Sequence, residues 1–174
     1  MRLASLFIFI VPALTLLNTL PVPSRLNITT IAAANGQSTI ECWQLSAPLV
    51  QSSQAGTSGA AVTQLGETGA TSYTLLPPQF DGGLHNAPVV QWVSFVSGLA
   101  VISLPNSTES ATIHGGRNGL ILAADTRNVS TLGHKTVYPS KEETVGIQIP
   151  TRNNDIPAHT VLHAGPCDRE EMDQ

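Results

Sequence analysis

The chain has 174 residues, a length that suits one domain of ordinary size. Its formal net charge of −4 argues against a basic nucleic-acid-binding surface, so we expect no nucleic-acid partner. Charged residues make up only 11% of the chain and hydrophobic residues 41%, the reverse of the balance in disordered proteins. Fourteen glycines and twelve prolines predict many turns and short strands rather than long helices.

Residues 1–20 have the pattern of a secretory signal peptide. Arg2 precedes an apolar run at residues 6–17, which is too short to span a bilayer of about 30 Å. The alternative, a buried N-terminal helix, is disfavoured by Pro12 inside the run. Cleavage falls either near residues 18–20 or as late as the alanines at 32–34. We therefore expect a secreted chain whose mature form has no membrane segment.

Three acceptor triplets for N-glycosylation agree with export, and they begin at Asn27, Asn106 and Asn128. The two cysteines, Cys42 and Cys167, stand near the ends of the presumed mature domain and leave no thiol over. In an oxidising compartment this pair predicts one disulfide between the two ends. Closing so long a loop stabilises a fold by about 4–5 kcal/mol in the chain-entropy model.

Turn-rich segments divide the rest of the chain. We expect an irregular lead-in at residues 21–40, a β domain at residues 41–167 and a solvated acidic tail at residues 168–174. A weak edge strand is expected near residues 60–65, followed by five short β-type runs. The five runs are residues 72–76, 89–95, 100–104, 119–124 and 144–149. No stretch of twelve residues has a helical period, so the predicted architecture is an all-β sandwich or barrel.

The block at residues 77–105 resembles the first signature motif of the cupin family, a small jelly-roll barrel. That motif reads His, any residue, His, three or four residues, Glu, six residues, Gly. In this chain His85 stands at the first His, Ala87 at the second, Gln91 at the Glu and Gly98 at the Gly. The strand–Gly98–strand phrase also resembles the hairpin that follows the glutamate in that family.

The second cupin motif is matched by His134 alone, without its proline and asparagine. The resemblance covers residues 70–150, and it extends more loosely to the small secreted cupin-like proteins of filamentous fungi. It implies an all-β fold with a single cupin-like jelly-roll barrel (a double-stranded β-helix), and a homodimer as a family-based expectation. In the fungal group it also implies a role in natural-product tailoring.

The resemblance bears on cofactors because a cupin metal site usually offers three imidazoles and one carboxylate, a set that suits Fe, Mn, Ni or Zn. This sequence offers His85, His134 and the amide of Gln91 instead. We therefore expect no cofactor, with a weakly held divalent transition metal at these three residues as the alternative.

Other histidines are candidates for the missing ligands. They are His114 and the pair His159 and His163. A helical arrangement of the pair is disfavoured by Pro157 and Gly165, so we expect it on an extended segment that ends in the disulfide.

Without a metal, the barrel is expected to bind a small organic molecule. His85 and His134 would then act as general acid and base, while Gln91 holds a carbonyl or enolate oxygen. Asp81 is the expected carboxylate that orients an imidazole. Six further residues are expected to bind the substrate: Tyr73, Phe80, Asn86, Trp92, Phe95 and Tyr138.

The leading hypothesis is thus a secreted enzyme with cofactor-free isomerase, cyclase or lyase-type chemistry. One alternative is a metal-dependent dioxygenase or lyase, and another is a non-enzymatic ligand-binding or host-interaction protein. A paired-carboxylate glycosidase is disfavoured, since the acids between residues 70 and 140 are Asp81, Glu109 and Asp125, none in a recognisable acid/base setting.

Overall fold

The structure, a computed structural model, describes residues 24–173 as a mostly β chain. The predicted signal peptide lies outside the described residues. The strands are β1 (Arg25–Ala34), β2 (Gln37–Pro48), β3 (Val50–Gln51), β4 (Ala61–Val62), β5 (Ser72–Leu76), β6 (Phe80–His85), β7 (Gln91–Ser97), β8 (Leu99–Ser103), β9 (Ser110–His114), β10 (Leu120–Ala123), β11 (His134–Tyr138), β12 (Thr144–Pro150) and β13 (His159–Ala164). A 3₁₀ turn occupies Arg152–Asn154, and one short helix, α1, spans Arg169–Asp173.

Two sheets carry the fold. The larger has seven strands in the order β13-β2-β1-β10-β7-β12-β5, and the smaller has four in the order β6-β11-β8-β9. Strands β3 and β4 form a separate two-stranded ribbon. Neighbours pair antiparallel except β1 and β10, which run parallel. The predicted all-β class is confirmed, and the two sheets are open rather than joined into one closed barrel.

Apolar side chains cover both faces of the larger sheet. One cluster, which includes Ile31, Val93, Phe95 and Ile121, packs on side chains of the smaller sheet such as Ile102. A second cluster lies on the opposite face and is closed by loop residues. It contains Ile28, Trp43, Leu45, Trp92 and Leu122, with Leu65 packed against it. No helix within residues 24–173 has the length and apolar character needed to cross a bilayer.

The prediction of an irregular lead-in at residues 21–40 is wrong from residue 25 onward, because residues 25–34 form a central strand that pairs with β2 on one side and β10 on the other. Residues 21–23 lie outside the described residues. Buried on both faces, β1 lacks the polar alternation that marks a half-buried strand. Asn35 and Gly36, both with positive φ (53° and 77°), turn the chain into β2. Asn-Gly is a strong hairpin signal that the sequence prediction did not use.

Gly98 connects the two sheets instead of closing a hairpin. Strand β7 belongs to the larger sheet and β8 to the smaller one, so the resemblance to the cupin hairpin does not hold at this position. Gly98 has a φ of 83°, and a Cβ there would overlap the backbone and side chain of Thr144. Only glycine fits both the left-handed backbone and this close approach.

The predicted disulfide between Cys42 and Cys167 is confirmed, and it ties β2 to the segment that precedes α1. The described part of the acidic tail, Asp168 to Asp173, has no buried residue, and polar contacts order it. Glu171 bonds to His163, and Asp173 forms an ion pair with Arg117. These contacts hold the tail against β13, which contains His163, and against the turn that contains Arg117.

Candidate functional site

His85 and His134 face each other across a strand pair. His85 ends β6 and His134 begins β11, and the two residues are register partners in the antiparallel ladder. Their ring centroids lie 4.5 Å apart. His134 is only 5% exposed, whereas His85 is exposed. Of these two neighbouring imidazoles, His134 is therefore the inner one and His85 the outer one, in contact with solvent.

Gly133 makes this approach possible. It has a φ of 75°, and a Cβ at this position would overlap the carbonyl group of His85. A larger residue would push the start of β11 away from β6. The glycine directly before His134 therefore sets the spacing of the two imidazoles.

A buried carboxylate orients the inner imidazole. Asp125, which follows β10 and is fully buried, accepts a hydrogen bond from Nδ1 of His134 at 2.7 Å through its Oδ2 atom. An ionised carboxylate only accepts, so in the neutral imidazole paired with it Nδ1 carries the hydrogen and Nε2 is the unprotonated nitrogen. The prediction that Asp81 orients an imidazole is wrong, since the exposed Asp81 pairs with Lys135 at 2.8 Å.

The hydroxyl groups of Ser38 and Ser130 extend the hydrogen-bond network from the Asp125 carboxylate. Ser38 donates to Oδ2 of Asp125 at 2.6 Å and lies 2.8 Å from the hydroxyl of Ser130. The main-chain amide of Gly133 donates to Ser130 at 3.1 Å. Since Ser38 gives its proton to Asp125, Ser130 must give its own to Ser38. The donors therefore run in one direction, from Gly133 to the carboxylate.

The outer imidazole is oriented as well. Nδ1 of His85 lies 3.0 Å from the carbonyl oxygen of Gly83. A carbonyl only accepts, so this nitrogen is the protonated one and Nε2 of the neutral ring is unprotonated. Both histidines thus keep Nε2 available.

A cavity of about 100 Å³ lies beside the two imidazoles, between the sheets. Its polar wall includes Gln91, which is 9% exposed and makes no side-chain hydrogen bond to any described residue. Gln91 begins β7, and its side chain shares the inner face of that strand with Val93 and Phe95. The structure therefore brings His85, Gln91 and His134 to one cavity, on which all three side chains border.

Three further polar side chains border the cavity, those of Thr136, Tyr138 and Gln148. Burial raises the pKa of the Tyr138 phenol, which therefore remains a hydrogen-bond donor throughout the neutral range. The Oε1 atom of Gln148 accepts from Ser72 at 3.0 Å and from Thr74 at 2.7 Å, so its amide nitrogen is the group left to donate. No lysine, arginine, aspartate or glutamate is among the residues that line the cavity.

Of the six residues predicted to bind substrate, Phe95 and Tyr138 line this cavity and four do not. Trp92 points to the opposite face of β7, where its Nε1 donates to the carbonyl of Leu65 at 3.1 Å. Asn86 donates to the carbonyls of Asp125 and Ser130 and so secures their loop. Tyr73 and Phe80 are exposed, at 65% and 39%.

The remaining histidines lie elsewhere. His114 ends β9, and His159 stacks on Trp43 with ring centroids 3.4 Å apart. His159 and His163 are on the extended strand β13, as predicted, and neither borders the cavity. None of the three supplies a missing ligand beside His85.

Sequence reasoning missed Asp125, Ser38, Ser130 and Gln148. Asp125 comes shortly after an apolar strand, with Ala124 between them, and nine residues before His134 in the sequence. A lone acid shortly after a buried strand is a usable signal, since such an acid needs a partner if the fold also buries it. The two serines carry no such signal, because their positions depend on how β2 meets the loop after β10.

The fold and the site together define a class: an all-β protein whose two sheets enclose a small cavity beside an Asp–His pair. Comparison of the chain with protein-family models, with curated proteins and with solved structures finds no match.

Proposed function

We propose that this chain is an exported, cupin-like enzyme that moves protons on a small organic molecule without a cofactor. The observation that carries the proposal is the pairing of Nδ1 of His134 with the buried Asp125 beside the cavity, which in the neutral ring leaves Nε2 as the unprotonated nitrogen. An imidazole held in one tautomer by a carboxylate is the arrangement that general bases use. Export is supported by the disulfide, which persists in oxidising compartments.

The cavity restricts the substrate. Its volume of about 100 Å³ is well below that of sites for drug-sized ligands, and no charged acid or base side chain lines it. A small uncharged carbonyl compound, or the carbonyl end of a larger one, fits both properties. Phe95 and Ile102 supply the apolar wall, and Gln91 and Gln148 also line the cavity, so that their amide N–H groups would donate to the carbonyl oxygen of the substrate.

The proposed step is a proton transfer through an enolate. Nε2 of His134 removes a proton from the carbon next to the carbonyl, and the electron pair moves onto the carbonyl oxygen. The amide N–H groups stabilise the negative oxygen. His85, after taking up a proton from solvent at Nε2, gives that proton to the γ-carbon in the isomerisation of an unsaturated ketone, or to the hydroxyl group that leaves the β-carbon in a dehydration. After the reaction His134 carries an additional proton and His85 has lost one. Proton exchange with solvent through the exposed His85 restores both histidines.

A metal centre of the cupin type fits these residues poorly. Both Nδ1 atoms are occupied by acceptors, as in histidines that bind metals through Nε2. The set nevertheless has two imidazoles and an amide in place of three imidazoles and a carboxylate, because Asp125 is turned onto His134. A cation at this site would lack the negative ligand that the family provides.

The test is exchange of carbon-bound protons in heavy water. A panel of small hydroxyketones, aldehydes and enones is incubated with the protein, and proton loss at the α-carbon is followed by NMR. We expect exchange that falls by about 10²–10⁴-fold in His134→Gln and His85→Gln. His114→Gln is the matched control, because it removes an imidazole remote from the cavity. Exchange that is unchanged in His134→Gln would refute the proposal. So would a panel that neither exchanges nor shifts the imidazole resonances of His85 and His134.

A further inference from the structure

A second group of chemically reactive side chains surrounds the disulfide. Cys42 on β2 is the register partner of His163 on β13, and Glu171 reaches the same point from α1. The sulfur of Cys42, a ring nitrogen of His163 and a carboxylate oxygen of Glu171 all lie within 4.8 Å of one another. Cys167 is bonded to Cys42, so its sulfur lies beside this group, although it is not among the atoms that are all within 4.8 Å of one another.

The imidazole and the carboxylate are already oriented. Nδ1 of His163 donates to the carbonyl of Ala164 at 2.8 Å, so Nε2 is the atom that meets Oε1 of Glu171, also at 2.8 Å. The other carboxylate oxygen, Oε2, accepts from the main-chain amide of Asp168 at 2.7 Å and lies 3.9 Å from the sulfur of Cys42. Outer partners of this kind are what hold the ligands of metal sites in place.

We propose that reduction of the disulfide converts this group into a Zn²⁺ site with Cys42, Cys167, His163 and Glu171 as its four ligands. A dithiol reductant supplies two electrons and two protons, the S–S bond breaks into two thiols, and the dithiol is oxidised to its own disulfide. Zn²⁺ then displaces the two thiol protons and the proton between Nε2 of His163 and Glu171, and these protons pass to solvent.

The ligand set fits zinc in type and in number. Thiolate, imidazole and carboxylate are the groups that bind Zn²⁺, and four ligands complete its tetrahedral coordination. Two thiolates and one carboxylate also more than balance the charge of the ion. The sulfurs are buried, whereas the side chains of His163 and Glu171 are 42% and 25% exposed, so the ion can reach the site from the solvent side.

The site has a structural consequence. In the oxidised chain the covalent bond ties β2 to the segment before α1, and reduction removes that tie. A zinc ion on the same residues restores it, because the free energy of metal binding adds to that of folding. The two ends of the domain would thus be joined in either redox state. This inference is independent of the proposed enzymatic activity.

Cobalt is the spectroscopic probe. The full-length mature chain is reduced with a phosphine, which offers no competing thiol, and is titrated with Co²⁺ under argon. We expect one Co²⁺ per chain, with the visible bands of tetrahedral cobalt and a thiolate charge-transfer band, and displacement by Zn²⁺. Zinc should also recover most of the fall in melting temperature that reduction causes, while the unreduced chain gives no such spectrum.

Substitutions distinguish metal binding by all four residues from metal binding by the two free thiols alone. His163→Gln and Glu171→Gln should each weaken Co²⁺ binding by about tenfold or more, whereas the control His114→Gln should bind like the wild-type chain. Equal affinities in all three variants would overturn the proposal. The absence of the cobalt spectrum would do the same, as would a reduced chain whose melting temperature zinc leaves unchanged.

Discussion

Nδ1 of His134 and Oδ2 of Asp125 lie 2.7 Å apart in the interior of the protein, where the two residues are 5% and 0% exposed. Removed from water, a carboxylate is costly unless donors surround it. Asp125 receives three, from His134, from Ser38 and, at 3.4 Å, from the main-chain amide of Ala87. The pair therefore couples the stability of the loop after β10 to the tautomer of a cavity imidazole.

The substitution Asp125→Asn tests this coupling. An asparagine amide group at the Oδ2 position would direct hydrogens at two donors, the hydroxyl of Ser38 and Nδ1–H of His134. We expect His134 to move its proton to Nε2, and the free energy of unfolding to fall by about 1–3 kcal/mol. The tautomer is read from ¹⁵N shifts of the imidazole and the stability from urea unfolding.

Asp81→Asn is the matched control, because Asp81 is exposed and, among residues 24–173, pairs only with Lys135 and the amide of Gly83. It should leave the resonances of His134 in place. Retention of the Nδ1 proton in Asp125→Asn would show that the carboxylate does not determine the tautomer.

Gly133 and Gly116 form a second matched pair. Both have positive φ, of 75° and 106°, but a Cβ at Gly133 would overlap the carbonyl of His85 while one at Gly116 meets nothing within 4 Å. Gly116→Ala should lower the free energy of unfolding by about 1 kcal/mol, through the strain of a non-glycine residue at positive φ alone. Gly133→Ala should lower the melting temperature much further and separate the resonances of His85 and His134 from their wild-type positions. Equal losses in the two variants would contradict a role for the close approach.

The local sequence pattern was sufficient to predict a strand that has one apolar face or carries a fixed motif. The predicted run at residues 72–76 coincides with β5, and the run at 144–149 matches β12 to within one residue. It was insufficient for β1 and β7, which are apolar on both faces. In such a strand nothing local says which side faces the cavity, and Trp92, which was predicted to bind substrate, lies on the face away from it.

The candidate site shows the same division. His85 and Gln91 could be linked by the spacing of a motif, whereas Asp125 reaches His134 only because the loop between them folds back over β2. The contacts that define this loop, from Ser38 and Asn86, join residues 39 to 92 positions apart. Contacts at such separations leave no periodic trace in the sequence.

The three glycosylation triplets should not be used alike. Asn106 and Asn128 are exposed on turns. Asn27 lies within β1, where its Nδ2 donates to the carbonyl of Glu171 at 2.8 Å and its Oδ1 accepts from Gln44 at 3.1 Å. A glycan on that nitrogen would displace α1 and disturb the pairing of β1 with β2.

We therefore expect the protein secreted from a eukaryotic host to carry glycans at Asn106 and Asn128 and none at Asn27. Peptide mass spectrometry after enzymatic deglycosylation in ¹⁸O water measures the occupancy of each site. Asn27→Gln should leave the mass of the attached glycans unchanged, whereas Asn106→Gln should reduce it. Substantial occupancy of Asn27 in correctly folded protein would be the contrary result.

Tyr138 should titrate late. Burial raises the pKa of its phenol above the ordinary value of about 10, because the phenolate would lose its hydration between the sheets. In Tyr73→Phe it is the one tyrosine left, since the chain has two. The ultraviolet absorbance of phenolate should therefore rise well above pH 10 in the folded variant and near pH 10 in denaturant. The stability that this group contributes is present below about pH 10 and is lost as the pH rises through the folded value. A folded midpoint equal to the denatured one would contradict the burial of the hydroxyl.

His163 should make stability depend on pH in the neutral range. The carbonyl of Ala164 and the carboxylate of Glu171 raise its pKa, in that order of importance, with Asp168 adding a smaller attraction. A raised value means that the folded chain holds the proton more tightly than the unfolded one. The stabilisation is therefore complete below about pH 6.5 and disappears as the pH rises through the folded value. Urea unfolding of the oxidised wild-type chain and of His163→Gln, between about pH 5 and pH 9, should show a difference in stability that shrinks with rising pH. His114→Gln supplies the comparison for loss of an imidazole without such partners. A difference that is constant or grows with pH would mean that the contact with Glu171 does not stabilise the protonated form.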